Sequence, residues 1–144
     1  MLQDFLLKQG YTKIKLHLTK TNHFEIKAKI NGVKGLFILD TGASNSCVDF
    51  NTATMFKLNV KESDVKAAGA GATDMKTQTS EKNKFTIGKW KKDKVVLVLF
   101  SLTHVNTALT AHNSKPVDGI IGADILKKGK AIIDYEKKYL YLKL

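Results

Sequence analysis

The stretch Val33-Lys34-Gly35-Leu36-Phe37-Ile38-Leu39-Asp40-Thr41-Gly42-Ala43-Ser44 decides how this chain is read. It begins just after Asn31-Gly32, a dipeptide suited to a two-residue type I′ turn. The run before that turn sets Phe24, Ile26, Ala28 and Ile30 at alternate positions, so the two runs predict a β-hairpin. The second strand loses its alternation at Leu36-Phe37-Ile38-Leu39. A strand that is apolar on both faces is buried on both, and it delivers Asp40 from the middle of the core into a low-dielectric setting. An ionised carboxylate without a partner is costly there. Gly42 frees the backbone to turn its amide back toward that carboxylate. The plain alternative is a tight turn after a strand, where Asp, Gly and Ser are ordinary residues.

Working outward, Ile14, Leu16 and Leu18 alternate with Lys13, Lys15 and His17, which predicts another strand. Residues 1–11 read as an N-terminal arm or short helix, and residues 12–144 as one domain. Beyond the Asp40 turn, the pattern predicts a short helix over Phe50 to Leu58. The small-residue segment from Ala67 to Ala72, with Gly69, Ala70 and Gly71 at its centre, suits a hairpin tip. Strands are expected near Met75 to Ile87 and from Val95 to Leu102, with Lys89 to Lys94 as a polar turn. Residues 104–116 read as an irregular excursion. A one-turn helix near Ala123 to Lys127 and strands over 131–134 and 139–142 complete the chain. Many short strands with turn residues between them predict an all-β fold, a closed barrel or folded sheet with one or two short helices.

Composition narrows the function. The 144 residues are 43% hydrophobic and 26% charged, enough apolar content for one ordinary core. One cysteine makes no internal disulfide, and no Cys/His spacing suits zinc, so neither metal nor cofactor is implied. The longest apolar run, Val95 to Phe100, is far short of the roughly 20 residues that span a bilayer. The N-terminal stretch lacks a basic start and a long apolar centre, so no signal peptide is expected and a cytoplasmic location is. The 24 basic residues are all lysine, against 13 acidic ones, for a net charge of +11. Such charge attracts polyanions, but base and phosphate recognition leans on the planar fork of Arg, absent here. Scattered lysines read as solubility, and specific nucleic-acid binding is not expected.

A second segment, Asp118-Gly119-Ile120-Ile121-Gly122-Ala123-Asp124-Ile125-Leu126, joins the first in a known pattern. Asp-Thr-Gly after an apolar strand, followed later by apolar-apolar-Gly, resembles the retropepsin-like aspartic proteases. The resemblance covers about residues 22–144, and the tail resembles the closing strands of the cellular, single-domain members. It implies a β-barrel domain holding one catalytic Asp, Asp40, where the reaction needs two. Asp124 is no substitute, because Ile125-Leu126 follows it, and 144 residues do not supply the second lobe of a pepsin-like enzyme. The implied enzyme is therefore a homodimer that cleaves peptides or proteins, with Asp40 of each chain meeting on a two-fold axis.

The same resemblance implies the supporting roles. Thr41 bonds across the dyad to the partner chain. Gly42 turns the backbone and offers substrate contacts, and Ala43 is the small residue expected next to it. Ser44 stands where many viral members have Asp, so it grips substrate without charge. Ile120, Ile121 and Gly122 pack beneath the Asp40 loop, which is also what plain core packing would give. Gly69, Ala70 and Gly71 form the flap tip, without the bulky residue of many relatives; a plain surface loop is the alternative. Asp124, where viral members have Arg, reads as a helix-start contact. His17, His23, His104 and His112 share no spacing and read as surface residues, and Cys47 as a small buried apolar residue. Two other functional classes stay open: a non-catalytic dimer binding extended peptides in the same cleft, and a lysine-rich nucleic-acid-associated protein.

Overall fold

The computed structural model describes residues 1–63 and 76–144. The expected hairpin is β3 (Phe24–Ile30) and β4 (Val33–Leu39), paired antiparallel from Phe24↔Leu39 to Ile30↔Val33. Asn31 and Gly32 sit at the tip, both with positive φ, as a two-residue hairpin turn requires. Strand β4 then pairs in parallel with β9 (Gly119–Ile121), and β9 pairs with β5 (Cys47–Asp49). Strand β5 lies parallel to β8 (Trp90–Phe100), which returns antiparallel from β7 (Thr77–Ile87). A β3–β7 pairing closes these six strands into a barrel. Strands β2 (His17–Leu18) and β6 (Val60–Ser63) extend it at β3 and β7. Beside the barrel lies a second sheet, β1 (Tyr11–Lys15), β11 (Tyr139–Lys143) and β10 (Ile132–Asp134), with β11 in the middle. The expected all-β architecture is therefore what forms.

The unbroken apolar run of β4 divides between two cores. Phe37 and Leu39 enter the barrel cluster, whereas Ile38 and half-buried Leu36 enter a second cluster on the outside of the barrel wall. The same split recurs along β8, where Val95, Leu97 and Leu99 point into the barrel and Val98 and Phe100 away from it. In β9 it separates Ile121 from Ile120, and in β5 Val48 from Cys47. Strands that bury both faces read as solid apolar runs, the physical reason the Leu36–Leu39 stretch was informative.

Helix α2 (Thr103–Ala111) covers that outer cluster. It corrects the irregular excursion expected over 104–116. Thr103, Val105, Asn106 and Thr107 are weak helix formers, so local propensity gave no sign of it. Tertiary contacts make the helix: Val105 and Leu109, four residues apart, pack on the cluster. Asn106 clasps the approach to β9, its Oδ1 accepting the Val117 amide at 2.7 Å and its Nδ2 donating to the Val117 carbonyl at 3.1 Å.

Other boundaries differ as well. The helix expected over Phe50 to Leu58 is a single 3-10 turn (Phe50–Thr52) followed by further turns, with Phe56 fully buried and Lys57 at positive φ. Strand β8 starts at Trp90, so Lys91, Lys92 and Lys94 lie in the strand rather than in a polar turn. The reversal is Gly88-Lys89, where Gly88 has φ of 57°. The N-terminal segment folds as α1 (Leu2–Lys8), anchored by buried Leu6, and α3 (Ala123–Lys128) follows β9 directly. No helix among the described residues is long and apolar enough to cross a membrane.

Gly119 is where three strands crowd most closely. A Cβ built there would lie 2.4 Å from the Cys47 carbonyl oxygen and 2.9 Å from the Phe37 ring. The obstacle is backbone, which cannot swing aside. Gly119→Ala is expected to destabilise the protein by about 1–3 kcal/mol, the usual range for overpacking. The urea midpoint reads this directly; an unchanged midpoint would mean that β9 shifts freely against β5.

Candidate active site

The loop after β4 is held from below by β9. The Asp40 amide donates to the Ile121 carbonyl at 2.9 Å, and the Ala123 amide to the Ala43 carbonyl at 2.7 Å. Within the loop, the Gly42 amide donates to Asp40 Oδ1 at 2.9 Å, the inward-turned amide that the sequence predicts. Gly122 runs so close beneath that a Cβ there would lie 2.5 Å from the Ala43 carbonyl oxygen.

Ser46 and Asp124 fasten the far end. Asp124 Oδ1 accepts the Ser46 amide at 2.9 Å, the Ser46 hydroxyl at 2.7 Å and the Ile125 amide at 2.8 Å. The Ser46 Oγ in turn accepts the Gly122 amide at 2.8 Å. Asp124 does make the expected contact at the start of α3, and it also carries the loop, a role that spacing did not suggest. Asp118 fixes the other side of the crossing, its Oδ2 accepting the Leu36 amide at 2.9 Å.

Asp40, Thr41, Gly42 and Ser44 are exposed, and Ala43 is half-buried. This corrects the expected low-dielectric setting. Strand β4 is buried through Leu39, but it ends at the barrel rim, where Asp40 is exposed. Asp40, Gly42, Ala43 and Ser44 line a cleft of about 820 Å³, with Ile120 among its apolar lining residues. Thr41 does not line it, Ile121 faces the barrel core, and Gly122 lies under the loop. Gly69, Ala70 and Gly71 lie outside the described residues. The strands on either side of that segment, β6 and β7, pair as far as Ser63↔Thr77.

The cleft also gathers residues with no shared pattern in the sequence. Lys20 and His23 come from the turn between β2 and β3, His104 from α2 and His112 from the C-cap of that helix. Once 103–111 is known to be helical, His104 and Ala108 fall on one helix face with His112 at the C-cap beyond them, and all three line the cleft. The turn residues carry no such mark.

Cys47 is in the lining too, but buried, and burial pushes its thiol up to about 12. A hydrogen bond to the Ile120 backbone opposes that rise, while the charges of Asp124, Asp40 and Asp49 add to it. The thiol therefore stays protonated, and unreactive, through neutral pH. Iodoacetamide at pH 8 is expected to label Cys47 only after unfolding; rapid labelling of the folded protein would contradict this environment. Ser46→Ala leaves the buried Gly122 amide without its acceptor, at an expected cost of about 1–3 kcal/mol. Hydrogen exchange at the Asp40 and Ala43 amides should quicken with it, and unaltered exchange would show that the loop does not depend on Ser46.

Residues 26–125, well over half of the chain, match the family model described as aspartyl protease. A search of curated protein sequences finds no match. Among solved structures, the chain is similar to a retropepsin-like aspartic protease from Rickettsia conorii, with a TM-score of 0.62 and 22% identity over 92% of this chain and 90% of that one. It is also similar to the EIAV protease in complex with the inhibitor HBY-793, with a TM-score of 0.56 and 18% identity over 76% and 90% of the two chains. The retroviral protease-like domain of Ddi1 from Leishmania major gives 0.56 and 17% over 90% and 88%. With its Asp-Thr-Gly loop seated on β9 in a closed six-strand barrel, the chain belongs to the aspartyl protease family and has the retropepsin-like fold.

Proposed function

We propose that the protein is an aspartic endopeptidase whose active site forms when two copies of the chain bring their Asp40 carboxylates together. One observation carries this reading: among the described residues, Asp40 is the only acidic side chain in the cleft. Asp118 and Asp124 are spent on backbone amides and cannot serve as its partner. A lone carboxylate at an exposed rim is half of the machinery that the chemistry needs, and a two-fold axis supplies the other half.

Two carboxylates held close cannot both ionise cheaply, so the pair keeps one proton over a wide pH range. The ionised member takes a proton from a water lying between them, and that water attacks the scissile carbonyl. The protonated member donates to the carbonyl oxygen as it becomes an oxyanion. The Gly42 amide on Asp40 Oδ1 fixes the orientation of that carboxylate. In this reading Thr41, exposed beside it, bonds to the partner's loop, and Ser44 meets substrate backbone. Gly69, Ala70 and Gly71 are assigned to the flap, and Ile120, Ile121 and Gly122 to the platform under the loop.

A mixed peptide library incubated at about pH 5 and pH 7, with sedimentation run in parallel, tests the proposal. The dimer is expected to cleave best on the acidic side, where the shared proton persists, and Asp40→Asn should abolish cleavage without loss of fold. Absence of cleavage by a confirmed dimer would leave a peptide-binding protein of the same fold. Cleavage that survives Asp40→Asn would remove Asp40 from the mechanism.

A further inference from the structure

We infer that the cleft selects extended peptides carrying an acidic side chain, held by a cationic wall built from α2 and the 20–23 turn. This rests on the proposed peptidase reading for its consequence in catalysis, but not for the binding itself.

Four cation-capable side chains line the cleft, Lys20, His23, His104 and His112, against one acid, Asp40. If two chains share one proton across their Asp40 pair, the acidic count falls further. His104 near the start of α2 and His112 at its C-cap both line the cleft, and Ala108 between them leaves room for a side chain to enter. The turn is built rather than loose. The Thr19 amide donates to the His23 carbonyl at 2.8 Å, and the His23 amide donates to Thr19 Oγ1 at 3.1 Å. The His23 ring is set by Nδ1, 2.8 Å from Thr21 Oγ1, which lies 2.7 Å from the Oγ1 of buried Thr19.

The rest of the lining decides the class of ligand. Ile38, Val98, Phe100 and Ile120 are apolar, which suits side chains of a peptide and not the sugar-phosphate run of a nucleic acid. Among the described residues no three His, Cys, Asp or Glu side chains are grouped closely enough to hold a metal ion, so the histidines do not converge as ligands. A carboxylate beside several imidazolium and ammonium groups makes charge-assisted hydrogen bonds, stronger than neutral ones. Histidine gains its charge as pH falls between about 8 and 5. The groups facing that charge are Lys20 and His23 from the turn, His104 and His112 from the helix and its C-cap, and Asp40 from the loop. An acidic preference therefore grows toward the acidic side and keeps a Lys20 remainder at high pH.

The Asp40→Asn protein separates binding from cleavage. Its affinity is read by fluorescence polarisation with two fluorescein-labelled octapeptide pools, apolar apart from one Glu in the first and one Gln in the second. The Glu pool is expected to bind about tenfold tighter at pH 5.5, with a smaller ratio at pH 8. Adding Lys20→Gln, His23→Gln, His104→Gln and His112→Gln should bring the ratio to unity. Adding Lys91→Gln and Lys92→Gln instead, on exposed strand positions outside the cleft, should leave it intact, which distinguishes the wall from the general +11 charge. Equal binding of both pools, or a Glu advantage that persists without the wall, overturns the inference. Equal kcat/KM of the unsubstituted enzyme for the two pools also overturns it while the peptidase reading stands. Tighter Glu binding with neither pool cut by a confirmed dimer supports the wall and removes the peptidase reading.

Discussion

One carboxylate oxygen, Oδ1 of Asp124, ties the loop that carries Asp40 to the barrel, accepting two hydrogen bonds from Ser46 and one from the start of α3. Bonds to a charged acceptor are short and strong, and an acid in the first turn of a helix is favoured by its free amides. The Ser46 hydroxyl passes the constraint on to Gly122. An exposed loop would otherwise sample many turns, and this one is fixed at both ends, by Ile121 at Asp40 and by Asp124 at Ser46. Only then can a carboxylate on the surface have a defined position.

The barrel wall that supports this loop is apolar on both sides, and the second side needs a cover. Helix α2 supplies it with Val105 and Leu109, while His104, Ala108 and the C-cap His112 line the cleft. Cover and cleft wall are thus one element. Under the peptidase reading, that division places the reactive group on the rigid scaffold and the recognition chemistry on a helix and a turn attached to it. The two can vary separately, since the hydrogen bonds that seat Asp40 do not pass through α2.

The exposure of Asp40 gives assembly its physical meaning under the peptidase reading. A single chain holds its carboxylate exposed at the barrel rim. The environment in which two acids share a proton arises only when another surface closes over that rim. Chemistry and association are then the same event, and a lone chain is only half of an active site.

Much of this was legible along the chain because side-chain period and turn chemistry are local properties. The Asn31-Gly32 hairpin, the doubly buried Leu36–Leu39 strand, the Gly42 amide on Asp40 and the short helix after Gly122 all follow from neighbours within a few residues. What stayed hidden depends on partners distant in sequence. Helix α2 forms against its own weak propensity because Asn106 meets Val117 and because the outer cluster needs a cover. Strand β5 exists only because β8 and β9 flank it, and Lys91 and Lys92 are strand residues only because β7 pairs with them. His23 meets His104 and His112 in one cleft although nothing in its spacing joins it to them. The sequence by itself determined the barrel class and the loop that bears Asp40, because backbone sterics and apolar period act over a few residues. Only the tertiary structure decided that Asp40 lies exposed and which side chains surround it, because burial and charge environment are sums over segments that folding alone brings together.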